Sequence, residues 1–297
     1  MPTTATARVP LGAVGFVIIG LACQEVGASI AVLLFPQVGP AGMVTLRLVF
    51  SAAILLAVAR PRLRGIPGRS WVIITVFGLV LGSMNLLFYE AISRIDLGAA
   101  VTIEVLGPLV LSVIVARRAI AWLWAVLAFA GVALLGSGGF HDLDLVGVLF
   151  ALGAAVTWAL YILSSRRTGE IIEGLGGLAI AMAIGALAVL PFGIAQAGAT
   201  LLHPAVLGLG AAVALLSSAI PYALELIALR RISAATFSVL MATSPGIATL
   251  AGFLILQQHI GWLEAGGIAL VICASIGAVR MRERREPEAA VIEEAPA

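Results

Sequence analysis

The sequence predicts an all-α polytopic membrane protein: ten transmembrane helices in two inverted five-helix repeats. Three observations predict it: extreme apolarity with little charge, ten recurring apolar runs, and arginines confined to alternate connections. Of the 297 residues, 62% are apolar, 33 are glycine and 11% are charged, and the mean hydropathy is +1.15. A soluble domain is roughly 45–50% apolar, glycine included, and roughly 25% charged. Disordered chains are polar and charge-rich, so disorder is excluded by the same figures. A run of about 20 residues without polar alternation spans as a helix, whereas barrel strands alternate over about ten.

The runs follow in order. Leu11–Leu34 is too long for the apolar core of a cleavable signal and reads as a retained span. Ala41–Ala59 follows the turn-forming connection Pro36–Pro40. Trp71–Ile92 follows the arginine-rich link Arg60–Arg69 and carries Gly78 and Gly82, a small-xxx-small pair suited to close helix contact. Leu97–Ala116 holds Pro108 and stops at Arg117-Arg118. Ile120–Gly138 closes the first half. Leu145–Ser164 stops before Arg166-Arg167, Leu175–Ile194 follows, and Ala205–Leu229 stops at Arg230-Arg231. Ser233–Leu256 holds Pro245, and Ile260–Val279 stops at Arg280.

Arginine bias sets the predicted orientation. Fifteen of the 17 arginines fall before the first run, after the last, or on every second connection between. The opposite side has Arg94, and Arg47 lies inside the second run. Both termini are therefore expected in the cytoplasm. The expected division is an N-terminal cytoplasmic segment at 1–10, repeats at 11–139 and 140–280, and a disordered cytoplasmic tail at 281–297.

The repeat is visible in the residues. Arg94-Ile95 is followed by Pro108 as Arg231-Ile232 is followed by Pro245, and Ile120-Ala121-Trp122-Leu123 parallels Ile260-Gly261-Trp262-Leu263. Five spans per copy is odd, so the copies must have opposite topology, an arrangement in which solutes bind near mid-membrane at the repeat interface. Pro108 and Pro245 are matched interruptions: either hinges beside such a site or kinks that serve packing.

Six ionisable residues lie within the runs: Glu25, Arg47, Glu90, Glu104, Glu225 and Glu264. A charge at the bilayer centre costs about 2.5–3.5 kcal/mol on the most lenient scale, so each needs a reason. Glu90 has Arg94 four residues on, which suits a helix ion pair. Glu264 is near enough to a span end to reach the interface. Glu225 is close to Arg230-Arg231 and shares a helix face with Tyr222. Arg47, Glu104 and Glu25 are deeper, at roughly 9, 10 and 14 Å from the outer end of their runs at the helical rise. A guanidinium matches a carboxylate in a bidentate way, and a carboxylate can hold an ammonium group or carry a proton. The trio suits a small zwitterionic solute; the alternative is a buried Arg–Glu lock between helices. Asn85 with Tyr89 and Trp158 with Tyr161 sit at helical spacing and either line the same pocket or pack.

Other chemistry has little support. Lysine is absent, which removes a Walker-type phosphate loop and a Schiff base. Cys23 and Cys273 lie in apolar runs and read as buried small hydrophobes. His141, His203 and His259 are scattered over outer loops, so no metal site or cofactor is expected. There is no nucleophile with a nearby base, so the chain reads as no enzyme, and no nucleic-acid partner is expected.

Several segments resemble a known family: Gly27-Ala28-Ser29, Leu34-Phe35-Pro36, Leu46-Arg47-Leu48, Met84-Asn85 with Phe88-Tyr89, Glu104 with Gly107-Pro108-Leu109, Trp158 to Ser164, and Pro221-Tyr222 with Leu224-Glu225. Over about residues 10–282 the chain resembles the EamA-type drug/metabolite transporter superfamily, and within it the bacterial threonine/homoserine exporters. The resemblance implies a secondary active carrier working by alternating access, exporting small amino acids in exchange for protons. Taken with the buried charges, the expected substrate contacts are Arg47, Glu104, Glu25, Asn85, Tyr89, Trp158, Tyr161, Tyr222 and Glu225. The rival within the superfamily is another small metabolite, a drug or a cation.

Overall fold

The computed structural model describes residues 11–63, 66–116, 119–137, 144–172, 174–232 and 234–283. Among them every regular element is helical: α1 Leu11–Ala59, α2 Gly68–Ile92, α3 Leu97–Glu104, α4 Leu106–Ala116, α5 Ala119–Ser137, α6 Leu145–Gly169, α7 Gly176–Ala197, α8 Pro204–Ala214, α9 Ile220–Leu229, α10 Ala234–Met241, α11 Ser244–Leu256 and α12 Trp262–Glu283. A 3₁₀ turn, Gly198–Leu202, precedes α8, and a π turn, Leu215–Ala219, joins α8 to α9. Seven stretches are long and apolar enough to cross a membrane: Leu11–Ala59, Gly68–Ile92, Leu97–Val115, Leu145–Gly169, Gly176–Leu202, Pro204–Glu225 and Thr236–Leu256. Trp122–Leu135 and Trp262–Ala278 are shorter apolar helices.

The connection expected at Pro36–Pro40 is a tight one: two helices meet across a kink at Gly39, where the chain leaves helical geometry with φ 69° and ψ 169°. That positive φ is open to glycine at little cost. Pro40 then restarts the helix, and its first N–H groups are capped from far away: Gln196 Oε1 on α7 accepts from Ala41 N at 2.7 Å and Gly42 N at 3.3 Å. At the C-terminal end α12 runs to Glu283. The proposed N-terminal segment and the tail beyond Glu283 lie outside the described residues, as does His141.

In lipid the hydrophobic effect does not drive helices together, so close packing must. Gly82 on α2 meets Gly185 on α7 so closely that a Cβ on Gly82 would stand 3.0 Å from the Gly185 Cα. The Gly78/Gly82 pair thus works as a close helix contact. Further contacts join α1 to α7, α8, α9 and α11, α2 to α6, α3 to α11, and α5 to α12. Large apolar side chains such as Leu33, Val72, Leu187, Phe192 and Leu254 are exposed around this core, as a lipid-facing surface requires. Cys273 is on that surface rather than buried, against expectation; Cys23 is half-buried. A thiol is apolar enough to face acyl chains.

Polar groups at helix ends are satisfied locally. Arg94 pairs with Glu90 at 2.5 Å, the expected i,i+4 pair, and lies 3.8 Å from Asp144. Asp144 caps α6 by accepting from Val146 N at 2.9 Å. Glu264 accepts from Gly261 N at 2.9 Å at the start of α12.

Candidate functional site

A cavity of about 180 Å³ opens inside the bundle, walled by α1, α2, α3, α6, α7, α9, α10, α11 and the π turn. Glu25, Arg47, Asn85, Glu104, Trp158, Tyr161 and Glu225 all line it. The charged trio that the sequence singled out therefore meets in one hollow. Two breaks in spanning helices bring α3 and α10 to an end there: Glu104 is the last residue of α3 and Met241 the last of α10, and both line the cavity. Pro108 and Pro245 cannot donate to the carbonyls four residues earlier, those of Glu104 and Met241.

Arg47 is held from two sides. Its Nη1 donates to the Tyr89 hydroxyl at 3.2 Å, and its Nη2 donates to the Ser217 carbonyl at 3.2 Å. Its guanidinium carbon is 5.5 Å from the Tyr89 ring centroid, within cation–π range. Tyr89 is fully buried and braced by Phe35 and Phe88, with ring centroids 5.9 and 6.1 Å away. It thus acts behind Arg47, and is absent from the cavity wall.

Glu25 is 2% exposed, and its Oε1 accepts from Ser244 Oγ at 3.1 Å. That bond ties α1 to the first residue of α11. Asn85 donates Nδ2 to the Leu81 carbonyl at 2.9 Å, a helix back-bond that leaves its amide oxygen clear of that contact. Tyr161 stacks against Phe77 with centroids 5.3 Å apart. Tyr222 is on α9, and its side chain lies outside the described residues.

Sequence reading missed Gln24, Ser217, Ser218 and Ser244, which also line the cavity. Signals existed: Gln24 adjoins Glu25, and Ser217-Ser218 is a polar pair inside an apolar run, four residues before Pro221. A second, smaller pocket of about 40 Å³ lies between the start of α3 and the α11–α12 connection, and includes Asp96, Gln258, His259 and Glu264.

A membrane-embedded helical bundle with broken helices around a charged cavity has the build of a multi-pass transport protein. The comparisons agree. Residues 145–280 match the model of the EamA-like transporter family. The chain is 38% identical over 273 residues to the threonine/homoserine exporter RhtA of Salmonella typhimurium strain LT2, covering 91% of this chain and 92% of that one. It is 39% identical over 263 residues to the protein of the same name from Escherichia coli strain K12, covering 88% of each. A crystal structure superposes with a TM-score of 0.57 at 21% identity over 92% of this chain and 99% of its own, a likeness of fold. The chain belongs to the EamA-like transporter family.

Proposed function

We propose that this protein is a secondary carrier that exports small amino acids of the threonine/homoserine kind from the cytoplasm across a bacterial inner membrane, in exchange for protons. The observation that carries this reading is the meeting of Arg47 with Glu25 and Glu104 in one cavity, since a zwitterion needs one cation and one anion at amino-acid spacing. Arg47 takes the solute carboxylate. Glu104 or Glu25 takes the ammonium group or the proton. Asn85, Trp158, Tyr161 and Glu225 complete the wall, and Tyr89 orients Arg47. The relatives that carry the exporter name span about nine-tenths of this chain.

The carrier has ten spans in two inverted repeats with both termini inside. Support comes from the breaks: α3 covers 97–104 and α10 covers 234–241, so the two half-helices and the prolines behind them are all offset by 137 residues. One repeat rocks against the other about Pro108 and Pro245 to expose the cavity alternately.

The test is counterflow of labelled threonine and homoserine in proteoliposomes, with and without a pH gradient. Wild type exchanges both, and Arg47→Gln and Glu104→Gln lose most of the activity. Wild-type rates in both variants, with unchanged pH dependence, refute the residue roles. Three carboxylates face one guanidinium in the cavity wall, which also suits an organic cation; preference for a permanently cationic amine over threonine favours that reading.

A further inference from the structure

Arg47 reaches across the cavity to a main-chain carbonyl inside another membrane helix. In a regular helix that carbonyl is taken by the N–H four residues on. For Ser217 the residue four on is Pro221, which has no N–H. The helix opens into the π turn Leu215–Ala219 at this point, a distortion frequent at functional sites, and Arg47 Nη2 donates to the Ser217 carbonyl at 3.2 Å. The turn is pinned from behind. Ser217 is 3% exposed, and α1 packs on it through Gly27, where a Cβ would collide with Ser217 Oγ. Both acceptors named for Arg47, a phenol oxygen and a peptide oxygen, are neutral.

We propose that Pro221 is a positioning residue for the carboxylate end of the carried solute: by withholding an N–H it reserves the Ser217 carbonyl for Arg47 and so aims the guanidinium into the cavity. The proposal rests on the reading of Arg47 as the carboxylate contact. Any other residue at 221 brings an N–H that competes for the same oxygen and favours closing the π turn into ordinary helix.

The experiment compares Pro221→Ala with wild type in proteoliposomes, using threonine and threonine methyl ester, which lacks the carboxylate. A hydrogen bond to a charged group is lost, so KM for threonine rises about tenfold, while inhibition by the ester changes less than about twofold. Equal weakening of both solutes overturns the proposal, because it marks a general packing role; no change in either does so too. A second measurement is independent of the solute carried. Modification of Arg47 by phenylglyoxal, read by peptide mass spectrometry on purified protein, becomes several-fold faster in Pro221→Ala if the clamp opens, and stays at the wild-type rate if it does not. A wild type that fails to carry threonine while labelling of Arg47 still responds to residue 221 refutes the substrate and leaves the clamp standing. Should Pro221→Ala fail to purify as a single species, Pro221→Ser supplies the same N–H. Loss of fold in both overturns the proposal in favour of a purely structural proline.

Discussion

Tyr89→Phe isolates one of the anchors of Arg47. The ring stays, so the 5.5 Å approach of the guanidinium to it and the packing on Phe35 and Phe88 are kept. What goes is the hydroxyl that accepts from Arg47 Nη1 at 3.2 Å. A hydrogen bond to a charged group contributes about 1.5–3 kcal/mol, and a distance at the long end of the N–H···O range places this one near the lower figure. At 1.4 kcal/mol per decade, the loss is about tenfold in affinity. Orientation of Arg47 is needed equally for binding and for the moving complex, so the change falls on KM while kcat stays close to wild type. The assay is initial-rate threonine counterflow in proteoliposomes over a range of solute concentrations. A KM within about twofold of wild type, with Tyr89→Phe correctly folded, refutes the claim that the phenol orients the site.

Gly82→Ala forces a methyl against the Gly185 backbone and should lower stability by about 1–3 kcal/mol, whereas Gly208→Ala, with open space around it, should not; thermal unfolding in detergent checks both. Gln196→Ala leaves the Ala41 and Gly42 N–H groups uncapped and should cost about 1–2 kcal/mol by loss of a cap, read the same way. Asp96, just outside α3, has its carboxyl pushed up by burial and then by the charge of Glu264, with His259 opposing. The folded state therefore holds that proton more tightly than the unfolded chain, and the stability Asp96 contributes is present at acid pH and lost as pH rises through the folded pKa. Asp96→Asn should accordingly gain on wild type in melting temperature as pH rises above the ordinary carboxylate range; a gap that narrows as pH rises contradicts the assignment.

The helical class was legible because lipid leaves a chain few options: every backbone polar group must be satisfied within the span, and long unbroken apolar runs announce that. The Glu90–Arg94 pair was legible for a local reason, a fixed four-residue spacing. Arg47, Glu25 and Glu104 stood out because a buried charge is too costly to be incidental, and they do share a cavity. The turn at 36–40 was legible from its two prolines and glycine; its tightness was not, because a single glycine at positive φ is enough to turn the chain. The cap from Gln196, and the bond that Leu97 N donates to Gln258 Oε1 at 3.2 Å, join residues 155 and 161 apart in sequence, which no local pattern reveals. The Arg47 clamp was hidden in the same way: Pro221 and Ser217 are visible together, but the guanidinium that takes the freed carbonyl comes from another helix.

The most direct test is a structure of the protein with threonine bound. The account predicts solute density in the larger cavity, its carboxylate on the Arg47 guanidinium and its ammonium on the side of Glu25 and Glu104. Density confined to the pocket at Asp96 and Glu264, or a solute in the cavity whose carboxylate turns away from Arg47, contradicts it.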